Sequence, residues 1–195
     1  MNQPALRPPN AKPPRRFGLF ARRPERAGYT LYGAAVAAAR MPAFYLEWGV
    51  PDTLDGRFDL VGLHVYVLIE RLNTPPTKAG AALAQAVFDA MFSDMDINLR
   101  EMGVGDLSVG AKVRQMWEAF HGRANAYGTA VHDPSPHAPL AEALARNVWR
   151  GAAPDASAGL LADYVLSQMQ HLASQDMAEL AAGTVGFLPP TAGAA

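Results

Sequence analysis

Five histidines, His64, His121, His132, His137 and His171, stand among many carboxylates, so metal coordination is the first chemistry the chain suggests. A helix-borne zinc site needs two imidazoles one turn apart, as in His-Glu-x-x-His, and no two of these histidines are four residues apart. His132-Asp133-Pro134 and His137 fall instead in a Pro-rich stretch. Asp89 and Asp96, with Asp94 and Glu101 close by, are the next candidates, for a divalent cation or a general-acid pair. Seven residues of helix hold them roughly 10 Å apart, too far for one small ion unless another helix contributes. The competing readings are a solvated acidic edge, or a face for a positively charged partner segment, where arginine-carboxylate pairs fix register. His64 lies in the most apolar stretch, where burial lowers an imidazole's pKa and keeps it neutral. It is either a haem ligand or, the commoner arrangement, a core histidine bonded to a neighbouring helix. Gly103-Val104-Gly105 lacks the strand-to-helix context of a phosphate cradle, Gly110-Ala111-Lys112 is no Walker sequence, and no Gly-x-Ser-x-Gly elbow occurs. With no cysteine in the chain, disulfides, thiolate zinc sites, iron-sulfur clusters and cysteine nucleophiles are excluded.

The elements that must carry these residues read as helices. Half of the 195 residues are hydrophobic and 18% are charged, enough for one domain with a real core. An Ala-rich run from Tyr29 to Arg40 has high helix propensity, and Pro42 ends it. A short helix around Phe44, Tyr45 and Trp48 stops at Gly49-Val50-Pro51. Asp52 or Thr53 is placed to cap a helix from about Leu54 to Leu72, apolar on more than one face and therefore central. After Asn73-Thr74-Pro75-Pro76-Thr77, the spacing of Phe88, Met91, Phe92, Met95, Leu99 and Met102 predicts an amphipathic helix over about 79–102, with Gly103 as its C-terminal cap. Val109, Val113, Met116, Phe120 and Tyr127 mark another helix. Pro139 opens one through Trp149, and a last helix is expected over about 156–181. No segment alternates with period two, so the expected fold is all-α, a single compact domain of about six to seven helices over 29–182. Residues 1–28 are expected to form a disordered, basic, Pro-rich arm, and 183–195 a flexible tail.

Charge divides the chain. Residues 1–27 hold seven Lys or Arg against Glu25 alone, a formal +6, so the remainder carries −7 to reach the overall −1. Within the arm, Arg15, Arg16, Phe17, Phe20, Arg22 and Arg23 combine cations with apolar side chains, a combination suited to an anionic membrane surface or the ribosome. No apolar run approaches the roughly 20 residues that cross a bilayer. The acid-poor amino terminus has no long apolar segment of the secretory kind behind it, and an organelle-targeting reading stays open.

Several blocks occur together and in order: LYGAAVAAARMPAFYLEWGVPDT, PDTLDGRFDLVGLHVYVLIERL, LAQAVFDAMFSDMDINLREMGVG, GVGDLSVGAKVRQMWEAFHGRANAY and Leu144-Ala145-Arg146-Asn147. From about Tyr29 to Trp149 the chain resembles the ubiquinol-cytochrome c chaperone family. The resemblance implies a soluble helical chaperone, with no catalysis and no cofactor. It would bind newly made cytochrome b, the membrane subunit with two haems, while respiratory complex III is assembled. Mitochondrial relatives also involve a small partner protein and the ribosome exit region; no DNA partner is implied. Arg57, His64, Asp89, Asp94, Asp96, Arg100 and Glu101 are the polar residues of the matching blocks, and Phe44, Tyr45, Trp48, Phe92 and Met95 the candidate apolar client contacts. The implied location is cytoplasmic and peripheral to the inner membrane in a bacterium, or the matrix side in a mitochondrion. The alternatives are a non-catalytic subunit or scaffold of a membrane-associated complex, or a metal- or haem-binding enzyme.

Overall fold

A computed structural model describes residues 6–8 and 22–191, and every regular element among them is a helix. In chain order these are α1 (Arg22–Ala39), α2 (Pro42–Leu46), α3 (Leu54–Leu72), α4 (Lys78–Glu101), α5 (Asp106–Val131), α6 (His137–Val148), α7 (Ser157–Ala173) and α8 (Met177–Ala182). The all-α single domain expected from periodicity is the fold the chain adopts.

Local chemistry sets the ends of the central helices. Thr53 caps α3 by accepting from the Gly56 amide at 3.1 Å, and Thr77 caps α4 by accepting from the Gly80 amide at 3.0 Å. Each satisfies an amide that has no acceptor within its own helix. Helix α4 stops at a left-handed Gly103 (φ 81°), whose amide reaches Arg100 O while Val104 N reaches Leu99 O. That pair of bonds is a Schellman closure, and glycine enters the left-handed region without steric cost.

Every residue of α3 from Asp59 to Glu70 is buried, because α1, α4, α5, α6 and α7 all pack around it. Helix α1 runs parallel to α4 in the most extensive contact of the bundle. A Cβ on Gly28 would lie 2.6 Å from the Ala86 carbonyl carbon, so the glycine allows the two backbones to meet. Leu31, Ala35 and Ala39 continue this buried stripe. This packing draws residues 22–28, which composition assigns to the arm, into the helical body. Pro24 is tolerated there because first-turn amides have no intrahelical acceptor to lose.

The helix expected over 156–181 is two helices. From α3, Arg71 donates Nε to Leu172 O and Nη2 to Gln175 O, both at 2.7 Å, and Asp176 starts α8 by accepting from Ala178 N at 2.9 Å. The carbonyls that would have continued α7 are taken, and a new cap follows. Beyond Gly183 (φ 94°), the residues assigned by composition to a flexible tail run back along α7. Gln175 both accepts from Gly186 N and donates to Gly186 O. Gln168 does the same with Leu188. The two side-chain amides thus act on the segment as a strand edge would.

Candidate functional site

His64, at the middle of α3, is 2% exposed and engaged at both ring nitrogens. Its Nδ1 lies 2.8 Å from Leu60 O and its Nε2 2.8 Å from the Tyr164 hydroxyl. A carbonyl can only accept, so Nδ1 carries the proton and Nε2 accepts from the tyrosine. Phe44, Tyr164 and Phe187 surround the imidazole with ring centroids 5.6–5.7 Å away, and burial pushes its pKa down to about 4. Of the two roles open to it, the core histidine bonded to a neighbouring helix is the one built here. Phe44 and Trp48 belong to the same box, 5.2 Å apart and edge to face, and Phe92 packs 4.7 Å from Phe88 in the core. These four expected contacts, His64, Phe44, Trp48 and Phe92, are at most 2% exposed, so none of them offers a face to a partner. Tyr45 is half-buried, with its hydroxyl donated to Ala39 O at 3.0 Å. Arg57 is exposed and paired with Asp52 at 2.6 Å.

The polar residues of α4 do gather on accessible surface. Asp89 is exposed and accepts from Gln85 Nε2 at 2.7 Å. Half-buried Asp94 accepts from the Tyr32 hydroxyl at 2.6 Å, which ties α4 to α1. Burial, together with this bond to Asp94, raises the tyrosine's pKa far above its ordinary value, so the phenol stays protonated and donates. Arg100 bonds Asp96 at 2.7 Å and also meets Asp106 across the turn into α5. Glu101 is exposed and Met95 half-buried. Around them stand Met102 of the predicted apolar stripe, 51% exposed, and two apolar side chains that the sequence did not single out, Ile97, 51% exposed, and Leu107, fully exposed. Among the described residues no cluster of His, Asp and Glu is arranged to hold a metal, and no helix is long and apolar enough to cross a membrane. Arg15, Arg16, Phe17 and Phe20 lie outside the described residues, and Arg22 and Arg23 open α1.

One polar centre escapes sequence reasoning altogether. Asp59, 1% exposed on α3, has Arg123 Nη2 of α5 2.7 Å from one carboxylate oxygen and Arg150 Nη1 2.8 Å from the other. Burial raises its pKa to about 6 despite both cations. Arg123 also lies over the Phe58 ring, 5.7 Å from its centroid. The only hint in the sequence is a charged residue inside an apolar helix, and its partners come from two other elements. The cluster fastens α3, α5 and the loop after α6, and Trp149 Nε1 donating to Gly49 O at 2.9 Å closes the same corner.

Comparison with known proteins adds what geometry alone does not. A family model described as ubiquinol-cytochrome C chaperone matches residues 46–187. The chain is similar to ubiquinol-cytochrome-c reductase complex assembly factor 1 of Xenopus laevis, 26% identical over 155 residues, or 79% of this chain and 76% of that protein. It is also similar to the mitochondrial protein CBP3 of Saccharomyces cerevisiae, 29% identical over 153 residues and 75% of this chain. The chain spans only 44% of that yeast protein. Among solved structures, the crystal structure of a Cbp3 homolog from Brucella abortus superposes with a TM-score of 0.76 at 34% identity, covering 87% of this chain and 92% of that one.

Proposed function

The chain belongs to the ubiquinol-cytochrome c chaperone family, and from that membership we propose that it holds newly made cytochrome b, by contact and without catalysis, while respiratory complex III is assembled. The observation that carries this reading is the α4–α5 end of the bundle. Ile97, Met102 and Leu107 stay exposed there, three of the six large apolar side chains that are exposed among the described residues. An unassembled membrane subunit exposes apolar helices, and a carrier needs apolar area to cover them and charge around it for orientation and solubility. The relatives named as complex III assembly factors support the same reading. The work is peripheral to the membrane that houses the complex.

The decisive experiment removes the gene and quantifies complex III and cytochrome b by difference spectroscopy. Loss of cytochrome b with normal transcript is the expected result, and normal accumulation would end the chaperone reading. The basic arm extends the proposal: its cations hold the protein near an anionic membrane or the ribosome. Removing residues 1–21 is expected to preserve the helical signal and weaken salt-sensitive association with anionic liposomes or ribosomes. Association unchanged by the truncation would remove the arm from the mechanism.

A further inference from the structure

The topology gives the bundle two chemically different ends. Helices α3 and α4 form an antiparallel hairpin through 73–77, and α4 turns into α5 through Gly103–Gly105. Helix α1 runs alongside α4, with Gly28 against Ala86 and Tyr32 bonded to Asp94. The last turns of α1 and α4 and the first turns of α3 and α5 therefore share one end. The described residues leave six large apolar side chains exposed, and five of them, Leu46, Leu54, Ile97, Met102 and Leu107, belong to this end. Its α4–α5 rim is acidic: Asp94, Asp96, Glu101 and Asp106 stand against Arg100 alone, a guanidinium already engaged by Asp96 and Asp106. The arm attaches elsewhere. Arg7 N donates to Gln85 Oε1 at 2.9 Å, and Gln85 lies about 25 Å along α4 from Met102 at 1.5 Å per residue.

Apolar side chains inside an acidic rim select a segment that is apolar and carries cations beside its apolar run, and they repel anionic headgroups. Membrane proteins carry Lys and Arg in the short loops next to their spans on the side where they are made. We propose that the α4–α5 end docks the Lys/Arg-flanked end of an apolar helix of the client, with Leu107, Met102 and Ile97 covering the apolar turn and Glu101 and Asp106 meeting the flanking cations. This deepens the proposed function and rests on it. It assigns the acidic end to the protein client and leaves the anionic membrane to the arm.

The test places a photoreactive amino acid at Leu107 or, as control, at exposed Lys78, at the opposite end of α4, in the full chain. Cytochrome b is then translated in a cell-free system with the purified protein, either as it stands or with the Lys and Arg flanking its spans changed to Gln. The expected result is client crosslinking from position 107 about fivefold or more above that from position 78, a ratio worth about 1 kcal/mol. It should fall several-fold with the neutralised client, with E101Q/D106N, or when salt rises from about 0.05 to about 0.5 M. Equal crosslinking from both positions, with the client still co-purifying, overturns this assignment and leaves the chaperone reading standing. A client that fails to co-purify at all overturns both. Crosslinking from position 107 to a second copy of this chain, or to added phosphatidylglycerol vesicles in place of the client, overturns it as well.

Discussion

The two sides of α3 are packed by different rules. Toward α1, α4 and the aromatic box it is mostly dry: Leu31, Ala35, Phe88, Met91, Leu63 and Phe44 are buried without a nitrogen or oxygen in their side chains, and His64 enters with both nitrogens bonded, although the buried Trp48 Nε1 has no partner among the described residues. Toward α5 it is polar. Tyr66 and Tyr127 face each other with rings 5.7 Å apart, and their hydroxyls, with Nε and Nη1 of Arg123, have no hydrogen-bond partner among the described residues. Helix α5 also makes its larger contacts with α4 and α6, and only a thin one with α3. Burying unpaired polar groups costs free energy that burying methyl groups does not. The dry side therefore does most to fix the fold, whereas between α3 and α5 the ion pair of Asp59 with Arg123 is the polar tie.

The largest effect should come from cutting into the dry side. Phe88→Ala removes a fully buried ring that touches Phe92, Phe120 and His121, and chemical denaturation should show a loss of about 3–5 kcal/mol. Asp59→Ala should cost less, about 1–3 kcal/mol, because it leaves the largely buried Arg123 without its carboxylate but also relieves the burial of the charge on Asp59. If Asp59→Ala were neutral, the polar tie between α3 and α5 would contribute nothing.

Proton linkage sharpens the contrast, since the two buried titrating groups lean in opposite directions. Asp59, raised from 3.8 to about 6, contributes stability that is fully present below pH 4 and lost as pH rises through 6. His64, lowered from 6.5 to about 4, contributes stability that is present above pH 6.5 and lost as pH falls through 4. Each amounts to on the order of 3 kcal/mol across its window, and in the intact protein the two slopes largely cancel between pH 4 and 6.5. In D59N, urea denaturation should show stability falling steadily as pH drops through that window. In H64Q it should show stability rising instead. Parallel slopes in the two variants would contradict the assignment.

The smallest effect belongs to the polar side. Tyr127→Phe deletes a hydroxyl that no described group satisfies, and stability should change by less than about 1 kcal/mol, with a gain the expected sign. A loss comparable to that of Phe88→Ala would erase the distinction between the two sides.

The sequence disclosed these two sides unequally. Helices α3 and α4 were legible because their caps are local: Thr53 lies three residues from the amide it satisfies, and Gly103 is the residue type a left-handed closure needs. The start of α1 was not, because Pro24 and the arginines speak for an open chain locally, while Gly28 packing on Ala86 decides the matter from a distance. Periodicity also identified which residues of α4 are apolar without saying what covers them. Phe92 and Met95 looked equivalent, yet the first is core and the second half-exposed. Asp59 was silent for the same reason, since its partners sit on α5 and after α6. The functional reading came from whole blocks of residues in order, because no single side chain here has a chemistry that points to respiratory assembly.

Phe187 closes the box around His64 although α3 is made long before it. During synthesis the imidazole and its tyrosine partner therefore wait with one wall missing, until the segment that Gln168 and Gln175 grip has left the ribosome. Fusing a stable domain directly after Gly183 in place of that segment would leave a protein with all its helices and a wet centre.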